Sequence, residues 1–193
     1  ADDVVLNFTS PNAALTEARF EAALQYDVVL ADGAAQTFTS GGQNDTIQSG
    51  DDADIIDGGA GTDTYKVVAA ADSTVTNAAS AHAGQDIVAI TVGDIFDYTA
   101  SAIAAVIAAD VVDGTAVDVN GDNLITALSA AFAGADDGVA NIEAGVINFS
   151  GGDQFLVIDI NSSQTIDDND IIVELTGYTV TGLTLSDGNA VIA

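Results

Sequence analysis

The chain of 193 residues has no cysteine, no methionine and no tryptophan, and only one histidine and one proline. Without cysteine there are neither disulfides nor thiolate metal sites, so a secreted chain needs another staple, and bound metal can serve. Zinc chemistry lacks its soft ligands, because the one imidazole, His82, stands in a run of small residues (77–84) with no serine elbow near it. A solvated loop histidine is the expected role. Basic residues are almost missing too: Arg19 and Lys66 face 30 acids, for a net charge of −28. Such a surface argues against nucleic acid and anionic membranes as partners, and it repels itself unless cations neutralise it. Carboxylates are so dense that any close pair says nothing about acid–base catalysis, and no tryptophan is there to stack a sugar. The expectation is a protein that is not an enzyme. Long apolar runs are also absent. The longest, Ala102 to Ala109, is far too short to cross a bilayer, so no membrane insertion is expected. No signal peptide is legible and residue 1 is Ala, so the chain reads as a fragment or a processed form.

What is present points to a folded protein. Apolar residues make up 48% and mean hydropathy is +0.34, whereas disordered acidic chains are apolar-poor. The negative charge is nearly all aspartate; glutamate occurs only at Glu17, Glu21, Glu143 and Glu174. Aspartate favours turns and metal loops over helix interiors. The chain is organised around residues 40–66, SGGQNDTIQSGDDADIIDGGAGTDTYK. Cut into nines from Ser40, Ser49 and Gly58, it puts an aspartate at the sixth place each time: Asp45, Asp54 and Asp63. A large apolar residue takes the eighth: Ile47, Ile56 and Tyr65. Small residues hold the first two places, among them Gly41, Gly58 and Gly59; Gly42 stands at the third place and Gly61 at the fourth. Glycine lets the backbone turn tightly with carbonyls pointing inward, and the aspartate adds a charged oxygen of the kind that Ca²⁺ collects six to eight at a time. The eighth residue then leaves the turn in a short strand and faces a core that no single repeat can bury alone.

This is the pattern G-G-x-G-x-D-x-U-x, and the segment resembles the RTX calcium-binding β-roll proteins. The third nine matches at every constrained place, with Tyr65 as the apolar residue. Gln43 and Asp52 stand where the first two would have the fourth-place glycine, and Ser40 and Ser49 where they would have the first. The resemblance implies repeats alternating between two sides of a roll, with calcium between turns two repeats apart. It implies that the turns of Asp45 and Asp63 share an ion and that Asp54 pairs with Asp72, at the sixth place of 67–75. The segment GQDIVAITVGDIFDY (84–98) resembles the stretch C-terminal to the repeats in many RTX proteins.

Two further stretches carry oxygen ligands. Asp118, Asn120 and Asp122 open a loop like an EF-hand or dockerin calcium loop with Ile125 at place eight, but Asn123 replaces the glycine and Ser129 the final acid. The second keeps oxygens at Asp159, Asn161, Ser163, Asp167 and Asp170, with Thr165 giving a carbonyl and Ile166 packing at place eight. Each reads equally well as a solvated Asx-rich turn.

Around these the pattern predicts a strand at 4–8, a helix opening at Ser10-Pro11 and running to about Gln25, and a strand at 26–30. Next come a strand at 86–90 and an alanine-rich helix over Ala100–Ala109, then strands at 155–158, 171–175, 179–185 and 190–192. The expected fold is mainly β with a few helices, in three parts that form one continuous domain: a strand–helix cap (1–30), a short parallel β-roll (31–75) and a strand-rich C-terminal region (76–193). The expected function is a secreted or cell-surface calcium-binding module. By composition it resembles surface-layer proteins, with calcium ions and self-assembly or other surface proteins as partners. The secretion and folding module of a type I-secreted enzyme and an adhesin segment are the alternatives.

Overall fold

The computed structural model describes residues 4–8, 23–67, 86–98, 105–114, 124–133, 142–149, 152–167 and 169–193. Its strands are β1 (Val4–Asn7), β2 (Tyr26–Val29), β3 (Thr37–Thr39), β4 (Thr46–Gln48), β5 (Ile55–Asp57), β6 (Thr64–Lys66), β7 (Ile87–Ala89), β8 (Ile95–Asp97), β9 (Ala105–Gly114), β10 (Glu143–Phe149), β11 (Gln154–Asp159), β12 (Ile171–Thr176), β13 (Leu183–Ser186) and β14 (Asn189–Ile192). One helix, α1 (Leu124–Ala133), lies among the described residues. The protein is mainly β.

The nine-residue spacing sets the architecture. Three residues of each nine are extended, and because side chains alternate across a strand, only the middle one points inward. Phe38, Ile47, Ile56 and Tyr65 are these middle residues, and all are buried. The six residues between strands turn the chain back, so consecutive strands land in opposite sheets. β2, β4, β6 and β8 run parallel in one sheet, and β3, β5 and β7 run parallel in the other. In register, Ile47 lies opposite Tyr65 and Phe38 opposite Ile56, two nines apart. The roll therefore extends past residue 75, through β7 and β8.

Both sheets continue into the C-terminal region. β12 adds to β7 in parallel, and β11 and β10 extend that sheet as an antiparallel meander with β9 parallel outside it. The hairpin β13–β14 completes the first sheet, with β14 antiparallel to β8, while β1 closes its other edge on β2. One apolar cluster fills the space between the sheets from Tyr26 and Val28 through the roll to Val173, Leu175 and Ala190. A second lies under α1, where Leu124, Leu128 and Phe132 meet Ile147, Phe155, Val157, Ile166 and Ile172. There Phe149 and Phe155 meet edge to face, with ring centroids 5.9 Å apart.

Three expectations need correction. Residues 105–109, read as part of an alanine-rich helix, belong to strand β9. Alanine's helix propensity is outweighed by ladder pairing with β10, to which Val106, Val111 and Val112 bring β-branched residues. Leu124 and Ile125, expected in a loop, open helix α1, whose apolar residues pack on the sheet. The strand expected over 179–185 begins only at Leu183, because residues 178–182 cross between the sheets. Gln154 pins that crossing, its amide donating to Tyr178 O at 3.1 Å and its carbonyl accepting Val180 N at 2.8 Å. The expected N-terminal helix lies mostly outside the described residues.

Candidate metal centre

The turns stack along two edges of the roll. One edge carries turns 40–45, 58–63 and 90–94; the other carries 31–36, 49–54 and Asp86. On each edge the sixth-place residues form a file. The Asp45 carboxylate accepts Tyr26 N at 2.8 Å, Asp63 accepts Asp45 N at 2.8 Å, and Asp94 accepts Asp63 N at 2.9 Å. Opposite, Asp54 accepts Gln36 N at 2.7 Å and Asp86 accepts Asp54 N at 2.8 Å. The carbonyls repeat the link, with Thr64 N donating to Asp45 O and Ile95 N to Asp63 O, both at 2.8 Å. All five aspartates are buried, none more than 1% exposed.

Asp45 and Asp63 stand in one file and Asp54 in the other. The position beyond Asp54 is taken by Asp86, while Asp72 lies outside the described residues. A frame interrupted after Lys66 resumes with Gly84-Gln85-Asp86-Ile87-Val88, which keeps G-x-D-x-U in the sequence. Asp94 escapes a count by nines because its turn is one residue shorter, with Gly93 directly before the aspartate.

Glycines allow the turns to approach. Gly59 (φ +82°) and Gly61 (φ +145°) lie so close to the carbonyls of Gly41 and Gln43 that a Cβ on either would collide with them. Gly58 has no room either, since its Cβ would overlap the Asp63 carboxylate and lie 2.7 Å from the Tyr65 hydroxyl. In the second nine, Asp52 itself takes φ +88° at the fourth place. There it braces the neighbouring turn by accepting Gly33 N at 3.0 Å. Gly41 and Gly42 are half-buried in the first turn.

The second carboxylate oxygens decide what the files can hold. On Asp45 it accepts the Ser40 hydroxyl, on Asp54 it accepts Gly50 N at 3.3 Å, and on Asp94 it accepts Thr91 N at 2.7 Å. On Asp63, Oδ2 is buried with no hydrogen-bond partner. Burial pushes Asp63 up to about 7; the charges of Asp94, Asp45 and Asp57 add to this, and the Asp45 amide opposes it. Burial likewise pushes Asp54 up to about 6, opposed by the amides of Gln36 and Gly50, and it raises Asp94. A buried carboxylate oxygen without a partner is a donor suited to a hard cation. Turns 40–45 and 58–63 therefore fit calcium on the oxygens they offer. Among the described residues no three acidic or histidine side chains converge on one point, so backbone oxygens would have to supply much of the coordination.

In the loop between β11 and β12 the carboxylates accept backbone amides. Asp159 accepts Ser163 N at 3.1 Å and Gln164 N at 2.7 Å, and Asp170 accepts Ile160 N at 3.1 Å and Asp167 N at 2.8 Å. Asp167 in turn accepts Asn169 N at 2.7 Å, the Ser163 hydroxyl donates to Thr165 O at 2.8 Å, and Asn161 is exposed. The carboxylates close Asx turns, with Ser162 and Gln164 at positive φ. Burial, with Asp159 and Asp167 adding to it, pushes Asp170 up to about 6. Asp118, Asn120 and Asp122 lie outside the described residues, and Ser129 is on α1.

Among the described residues no helix is long and apolar enough to cross a membrane. No protein-family model matches the chain, and no curated protein matches it.

Proposed function

We propose that the chain is a non-catalytic, extracellular calcium-binding module of a surface-layer or matrix protein, whose roll is completed by the ion. The observation that carries the reading is the unpartnered, buried Oδ2 of Asp63 within a file of stacked carboxylates. A buried carboxylate with an empty oxygen costs free energy unless a proton or a cation occupies it. Asp63 and Asp45, with backbone carbonyls of turns 40–45 and 58–63, are the residues that would hold calcium. When bound, the ion supplies the positive charge that the file lacks.

The chain's own residues do the rest. The amide-to-carboxylate links hold the aspartates in register, and Gly59 and Gly61 keep the turns close. A surface of −28 stays soluble and self-repelling until cations are abundant, as they are outside a cell. The test is light scattering of the chelated chain during a calcium titration, with magnesium as control. Growth of ordered assemblies with calcium alone is expected. A chain that takes up calcium and stays monomeric at saturation would refute the lattice role and leave the secretion-module or adhesin reading.

A further inference from the structure

Of the four carboxylates Asp45, Asp54, Asp63 and Asp94, three have the second oxygen filled by a donor from their own turn, and the donors differ. Ser40, at the first place of its nine, uses its hydroxyl on Asp45; Gly50 and Thr91 use their backbone amides on Asp54 and Asp94. The turn of Asp63 has no such donor on its carboxylate. Its first residue, Gly58, has no hydroxyl, and a Cβ there would overlap the Asp63 carboxylate. Its amide donates to the phenolic oxygen of Tyr65 at 3.3 Å, and the next amide, Gly59 N, the counterpart of Gly50 N, donates to Asp57 Oδ1 at 2.9 Å. That phenol donates its own proton across the roll to Ala89 O at 2.8 Å, with its ring held against Phe96 at a centroid distance of 5.3 Å.

We propose that Tyr65 is a positioning residue that helps keep the second oxygen of Asp63 open, by engaging the Gly58 amide, and so leaves the 58–63 turn able to accept a cation. The eighth place of the repeat needs only an apolar side chain for packing, and Ile47 and Ile56 serve there in the preceding nines. At Tyr65 the phenolic oxygen adds a second task that an apolar residue cannot perform. The inference rests on the calcium reading for the identity of the ion, but its hydrogen-bond claim does not.

Two variants test it with opposite signs. Tyr65→Phe keeps the ring against Phe96 and frees the Gly58 amide, which should turn to Asp63 Oδ2. In chelated protein the Gly58 amide resonance should then move downfield, as its acceptor changes from a phenol to a carboxylate. Calcium affinity should fall roughly tenfold, the equivalent of one charge-assisted hydrogen bond to be displaced. Ser40→Gly removes the hydroxyl from Asp45 and should instead tighten calcium binding. A Gly58 resonance that does not move in Tyr65→Phe overturns the proposal, whether or not calcium binds. Equal calcium affinity of wild type and Tyr65→Phe overturns it also. A wild type that binds no calcium, while the resonance shifts as expected, overturns the calcium reading and leaves the role of Tyr65 standing.

Discussion

Replacing Gly59 by alanine isolates the contribution of turn stacking, because Gly33 provides a matched control. Both glycines have positive φ, +82° at Gly59 and +101° at Gly33, so alanine at either position carries a left-handed strain of about 1–2 kcal/mol. They differ in what the new methyl meets. At Gly33 nothing lies within 4 Å, and the Gly33 N–H that Asp52 accepts survives the change. At Gly59 the methyl collides with the carbonyl of Gly41 in the turn below. That carbonyl accepts Ala60 N at 3.2 Å, so relieving the clash parts the two turns and breaks the bond. Overpacking of this kind typically costs ~1–3 kcal/mol, and the lost bond adds ~1. Gly59→Ala should therefore be less stable than Gly33→Ala by about 2–4 kcal/mol, which for a chain of this size separates their Tm values by roughly 5–15 °C. Urea and thermal unfolding of both variants, with calcium and with chelator, give the comparison. Equal losses would mean that the turns do not stack this closely, and the geometry of the candidate site would fall with them.

Stability against pH should reverse with calcium. In chelated protein Asp63 and Asp54 hold protons up to about 7 and 6, against 3.8 for the free side chain, so the folded state binds more protons between those values. Their stabilising contribution is full below pH 4 and is lost as pH rises through 6 to 7, by on the order of 4 kcal/mol for Asp63 alone. With calcium bound the carboxylates stay ionised, and stability should instead fall on acidification; denaturant melts at pH 4.5 and 7.5 that move in the same direction with and without calcium would contradict this. Asp170→Ala strands the amides of Ile160 and Asp167 and should cost ~2–4 kcal/mol equally in calcium and in chelator, as read from urea melts. A cost confined to calcium would make the 159–170 loop a metal site after all.

The repeat is legible because its period is strict from Ser40 to Lys66, where place six and place eight each do one physical job. Legibility ends where the period does. Asp86 falls 32 residues after Asp54 rather than two nines, and Asp94 ends a shortened turn, so counting by nines passes over both. Local propensity misleads where pairing decides: the alanines before Val106 suggest helix, yet residues 105–114 are held by β10. Helix α1 has a visible signal in the spacing of Leu124, Ala127, Leu128 and Phe132, which the acidic residues before it obscure. The Asx turns of Asp159 and Asp170 show the remaining limit. The same residues at the same spacing serve an ion or a backbone, and which one depends on amides that a sequence does not position.

The proposal that buried, stacked aspartates make this roll a calcium-dependent structure is tested most directly by circular dichroism. The chelated full chain, in urea just sufficient to unfold it, is titrated with calcium and, separately, with magnesium. A cooperative gain of β structure is predicted at calcium concentrations of about 10⁻⁴–10⁻³ M, typical of extracellular calcium modules, and magnesium should not reproduce it. A spectrum that stays unfolded at saturating calcium would contradict it.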